Sequence, residues 1–110
     1  MRYQPKRSTA RWLEGAPAAV LAVYDNGGRS ADRYTVLYDY TGLGAAREWY
    51  EKRREVPARV MSETPFSSQG VGFYVDVPAW SRSQYGRKIR YADLPPACKR
   101  CVEQDCRDTA

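Results

Sequence analysis

Apolar and polar residues alternate most cleanly over residues 71–77, where Val71, Phe73, Val75 and Val77 are separated by Gly72, Tyr74 and Asp76. A period of two predicts a β-strand there. Tyr34, Val36, Tyr38 and Tyr40 alternate with Arg33, Thr35, Leu37 and Asp39 in the same way and predict a half-buried strand. Residues 18–24 form a short, nearly continuous apolar run, and the two segments together predict an antiparallel pair. Their connection, residues 25–31, is longer than a two-residue hairpin turn, although Asn26-Gly27 readily supplies positive φ angles. Residues 88–91 predict a short strand with Ile89 and Tyr91 on one face, and residues 78–86 a loop before it.

Helical spacing is found in two places. Ala45, Ala46, Trp49 and Tyr50 fit one helix face, with Glu48 and Lys52 as a favourable i,i+4 pair. A strand or long hairpin arm over residues 44–55 is the alternative, because residues 56–62 run on as an extended pattern interrupted by Pro57. After Asp93-Leu94, two prolines precede residues 97–107. Asp93 is a candidate cap, and a proline in the first turn sacrifices no intrahelical donor. Cys98, Cys101 and Val102 then share a face. The expected fold is α+β: a mostly antiparallel sheet of about four or five strands, a C-terminal helix and room for one further helix.

A chain of 110 residues makes one domain and buries about 65% of the surface its unfolded form exposes, enough to fold without metal or disulfide staples. Residues 1–15 carry Arg2, Lys6, Arg7 and Arg11 around Pro5 without sustained periodicity, and read as an extended or mobile basic arm ahead of a single α+β domain at 16–110. The longest apolar run is too short to span a bilayer, which predicts a protein of the cytoplasm with no membrane partner.

The formal charge is +5, from 14 Arg and 4 Lys against 13 acidic residues. This balance permits acidic or phosphate-rich partners without demanding one. Histidine is absent, which removes the commonest general acid/base and metal ligand near neutral pH. No catalytic set is apparent and no cofactor is expected. Cys98, Cys101 and Cys106 lack the fourth ligand of a structural zinc site and read as small core residues. Asp25, Asp32 and Glu63 are loop carboxylates that would have to converge to hold a cation.

Two binding candidates follow. Arg82, Arg87, Lys88 and Arg90 are interleaved with Trp80, Tyr85 and Tyr91, so cations able to engage phosphates alternate with rings able to stack on bases. The pattern suits a nucleic acid or nucleotide. Separately, Asp25, Asn26, Gly27 and Gly28 followed by Arg29, with Arg33 nearby, suit a small concavity of backbone N–H groups beside guanidinium groups, as an anion requires.

The blocks Val23-Tyr24-Asp25-Asn26-Gly27-Gly28, Asp32-Arg33-Tyr34-Thr35-Val36, Met61-Ser62-Glu63 with Pro65-Phe66, Gln69-Gly70-Val71-Gly72, and Gly86-Arg87-Lys88-Ile89-Arg90 with Asp93-Leu94-Pro95 occur in that order. Over about residues 20–100 this arrangement resembles a family of small phage and prophage proteins. The family often carries Pro-Phe-His-Pro-Gln-Gly in the central loop, whereas this chain has Ser67 and Ser68 between Phe66 and Gln69, so a histidine mechanism cannot operate here. The resemblance implies phage origin and a shared scaffold. With that phage context from the resemblance and no credible catalytic set in the chain, the expectation is a non-enzymatic accessory protein of the host cytoplasm that binds a host or defence component. Nucleic-acid or nucleotide binding is the alternative, and a carboxylate-dependent metal enzyme using Asp25 is a third reading.

Overall fold

Five antiparallel strands form one sheet in the order β4-β3-β2-β1-β5. The computed structural model describes residues 6–41, 45–78 and 85–108. Along the chain the elements are α1 (Ala10–Leu13), β1 (Val20–Asp25), β2 (Tyr34–Tyr38), α2 (Ala45–Arg53), β3 (Glu55–Met61), β4 (Gly72–Pro78), β5 (Arg87–Ile89) and α3 (Pro96–Asp108), with a 3-10 turn at Tyr91–Asp93. The first four strands make a meander interrupted by α2, and β5 lies at the opposite edge, antiparallel to β1. The α+β expectation is met, at five strands. The 78–86 loop, Trp80 and Arg82 lie wholly or largely outside the described residues.

Register divides the side chains between two cores. Val23 pairs with Val36 and with Ile89. These residues, with Tyr34, Tyr38 and Met61, meet Cys98, Cys101 and Val102 of α3, together with Tyr91, Leu94 and the α1 residue Leu13. Leu21, Tyr24, Leu37, Val56, Ala58 and Val77 gather instead with Tyr40, Tyr85 and Tyr50 of α2. Both sides of β1 and β2 are therefore covered, and every residue of β2 is buried rather than every second one. The alternation of β4 remains exposed at its start, with Phe73 58% exposed, because β4 is an outer strand.

Of the stretch open between helix and strand, Ala45–Arg53 is helical and Glu55 already begins β3. Tyr50 faces inward, but Trp49 is exposed, with the Arg53 guanidinium 4.6 Å from its ring centroid. The i,i+4 ion pair found on α2 is Arg47–Glu51 at 3.1 Å. Arg54, at φ 57°, takes the left-handed conformation that ends a helix, so the chain leaves α2 and enters β3 at once. Pro57 is tolerated within β3 because pairing with β2 stops at Ala58, one residue away. At the far end, Pro96 opens α3 as its first residue, while Asp93 accepts the Arg90 backbone N–H and closes the 3-10 turn rather than capping α3.

Residues 6–15 are docked, unlike the loose arm their composition suggests. The Ser8 N–H donates to the Leu21 carbonyl at 2.8 Å, two residues beyond the stretch of β1 that pairs with β5. Arg7 donates to the Ala18 carbonyl, and Leu13 is buried. A short apolar anchor outweighs the basic composition because Leu13 joins the core formed by the sheet and α3.

Gly86 sets the position of β5. Its φ is +90°, and a Cβ at this position would lie 2.2 Å from the Asp25 carbonyl oxygen. Only glycine allows this approach to the end of β1.

Candidate functional site

The Asp25–Arg33 corner is built by hydrogen bonds within its own loop. The Gly27 N–H donates to Asp25 Oδ1 at 2.7 Å, while the N–H groups of Gly28 and Arg29 donate to Asn26 Oδ1 at 2.8 and 3.1 Å. The amides that would have cradled an anion are thus occupied by the side chains preceding them, as in Asx turns. Arg29 turns its own Nε to the Asn26 carbonyl. Arg33 grips Asp25 with two bonds, Nε to Oδ1 at 2.8 Å and Nη2 to Oδ2 at 3.1 Å, and gives Nη1 to Glu63.

Asp25 and Glu63 do converge, but on a guanidinium. The Arg33 hydrogen bond holds the Asp25 carboxyl below the usual carboxylate range, against the opposing effect of burial; the Gly27 N–H and nearby Arg87 add to the lowering. Asp32 faces Ser30, whose hydroxyl donates to it at 2.5 Å. Among the described residues no group of three or more acidic or thiol side chains is placed to hold a metal ion.

The cations of β5 occupy an outer strand and fan to both sides of it. Arg87 pairs in register with Asp25 and Lys88 with Tyr24, so their side chains leave opposite faces. Arg87, Lys88 and Arg90 are exposed, and Arg90 Nε lies 3.5 Å from Asp93 Oδ2. Tyr85 is buried against Tyr24, ring centroids 5.7 Å apart, with its hydroxyl 3.4 Å from the Pro78 carbonyl. It supports the sheet and offers no face for stacking. Tyr91 is likewise buried, and desolvation pushes its hydroxyl up to about 12.

The ring that the fold sets beside Lys88 is Trp12. Lys88 Nζ lies 5.6 Å from its centroid, within range of a cation–π contact. Lys6, Arg7, Ser8, Thr9, Trp12 and Lys88 surround a concavity of about 320 Å³. The N-terminal segment and β5, some eighty residues apart in sequence, therefore meet at one cationic concavity through Lys6, Arg7 and Lys88, while Arg11, Arg87 and Arg90 are further exposed cations of the same two segments. Trp12 lies within the basic N-terminal run beside Arg11, and that juxtaposition is the sequence signal for it. A larger concavity, about 430 Å³, is lined by Asn26, Asp32, Val60, Val75 and Tyr85 among others and carries no cationic side chain among the described residues.

A second polar group has no counterpart in the sequence reading. Asp105, on the buried stripe of α3, accepts Arg59 Nε at 2.8 Å and the Tyr38 hydroxyl at 2.6 Å on Oδ2, and Arg59 Nη2 on Oδ1. Burial, reinforced by the bond to Asp105, raises the Tyr38 hydroxyl far above its ordinary value. These bonds tie α3 to β2 and β3. The adjoining cavity, about 10 Å³, has room for roughly one water. The cysteines are also structural: Cys98 Sγ lies 3.2 Å from the Ser62 carbonyl, and desolvation raises its thiol to about 11.

No protein-family model, curated protein or solved structure matches this chain. Among the described residues, no helix is long and apolar enough to cross a membrane.

Proposed function

We propose that this is a non-enzymatic binding protein that engages nucleic acid on the cationic surface formed by the N-terminal segment and β5. The observation that carries the reading is the meeting of Lys6 and Arg7 with Lys88 and Trp12 around one concavity, with Arg11, Arg87 and Arg90 exposed on the same two segments. Cations at this density attract a phosphate backbone, and a ring among them offers a base a stacking partner. The chemistry needs no catalytic group, in keeping with a chain that contains no histidine. Resemblance to small phage and prophage proteins supports an accessory role in the host cytoplasm, where binding would act on a host or defence component.

The test is binding of labelled single- and double-stranded oligonucleotides by fluorescence anisotropy across a salt series. Affinity that falls steeply as salt rises, and that weakens in an Arg87→Ala, Arg90→Ala variant of unchanged stability, supports the proposal. Binding unaffected by salt and by the double substitution rejects it. Capture of a host protein by nuclease-treated material, lost on the same substitutions, would assign the surface to a protein partner instead.

A further inference from the structure

We infer that the concavity between the N-terminal segment and β5 is a site for a phosphomonoester, such as the 5′-terminal phosphate of a nucleic-acid strand. This rests on the nucleic-acid reading and names the group recognised. Three cationic side chains, Lys6, Arg7 and Lys88, line a single concavity of about 320 Å³. A monoester carries close to two negative charges near neutral pH, whereas each internal phosphodiester carries one, so the dianion is the better match to a concavity lined by three cationic residues. Arg7 is held in place by its bond to the Ala18 carbonyl, and Lys88 by the Trp12 ring.

Ser8 supplies an independent observation. It lines the same concavity and is only 8% exposed, yet its hydroxyl meets no hydrogen-bond partner among the described residues. A buried hydroxyl left without a partner costs stability, and structures keep few of them. A phosphate oxygen would accept that O–H after a change of side-chain rotamer, and Thr9 brings a second hydroxyl to the rim. The half-buried Trp12 ring completes one wall, placed to contact the sugar or base carrying the phosphate. Among the described residues, neither the loop at Asn26–Arg29, whose amides are occupied, nor the larger concavity, which has no cation, offers an equivalent site.

The test uses the full chain and two 3′-labelled single-stranded oligonucleotides identical except for a 5′-phosphate or a 5′-hydroxyl. A nucleoside 5′-monophosphate and its nucleoside serve as competitors. The site predicts about tenfold tighter binding of the phosphorylated strand, the scale of added charge-assisted hydrogen bonds, with displacement by the monophosphate but not by the nucleoside. Ser8→Ala should lower that preference several-fold without lowering the melting temperature, because the hydroxyl bonds nothing among the described residues. Lys88→Met should reduce it further. Equal affinity for the two strands would overturn the phosphomonoester site while leaving the nucleic-acid reading intact. Binding of the monophosphate with no binding of either strand would keep the site and overturn that reading, and binding of neither would overturn both.

Discussion

Replacing Asp105 by alanine would remove the acceptor on which α3 is fastened to the sheet. Asp105 is 6% exposed and receives two hydrogen bonds from Arg59 and one from Tyr38. In its absence the Arg59 guanidinium, whose side chain is 17% exposed, stays largely buried without its counter-charge, and the Tyr38 hydroxyl loses its acceptor. Breaking a buried ion pair from one side costs about 3–5 kcal/mol, a large part of the roughly 5–15 kcal/mol that stabilises a domain. At about 4–5 °C per kcal/mol for this size, the melting temperature should drop by roughly 12–25 °C. Urea unfolding followed by circular dichroism gives the free energy directly. Substituting the whole group together, Asp105→Leu with Arg59→Met and Tyr38→Phe, should recover most of the loss, because no charge then remains buried. An Asp105→Ala variant within about 1 kcal/mol of the parent would show that the group behaves like an exposed ion pair and that this account of α3 docking is wrong.

Three further outcomes are expected. Gly86→Ala should cost at least about 2 kcal/mol, because a side chain must adopt positive φ while its Cβ meets the Asp25 carbonyl; a change below about 0.5 kcal/mol in urea unfolding would refute the close approach. Burial raises the pKa of all three thiols, so exposure sets the order: under native conditions at alkaline pH half-buried Cys106 should react first with a thiol reagent, while buried Cys98 and Cys101 wait for unfolding; rapid labelling of Cys98 would contradict its placement. Since the folded-state pKa of Asp25 is lowered, its stabilising effect is complete above its ordinary value of 3.8 and declines as pH falls below that toward the folded value. The stability gap between the parent and Asp25→Asn should therefore narrow below about pH 4, and a gap constant from there to the acid limit of folding would argue against the Arg33 pairing.

The elements governed by local pattern could be read from the chain. The alternation around Phe73, the paired runs at Val23 and Val36, and the stripe of Cys98, Cys101 and Val102 depend on spacing alone. What escaped depends on contacts between distant segments. Nothing near Lys88 indicates that β5 crosses to the far edge beside β1, and nothing near Ser8 shows that the basic segment will hydrogen-bond to Leu21. Asp105 did leave a sign, since it continues the helical stripe of Cys98, Cys101 and Val102 at the next inward position, and a carboxylate there requires a buried partner. Arg59 breaks the apolar run of β3 in the same manner. Tyr85 misled for the converse reason: a ring among cations resembles a stacking platform, but its neighbour in space is Tyr24.

The central claim concerns the shared cationic surface, and the most direct measurement is the salt dependence of oligonucleotide binding by the parent chain and the Arg87→Ala, Arg90→Ala variant. With about three to five phosphates engaged, affinity should fall by roughly 40- to 500-fold between about 50 and 200 mM salt, and the double substitution should reduce the logarithmic slope by about 2. A slope near zero, or one identical in the two proteins, would contradict the account.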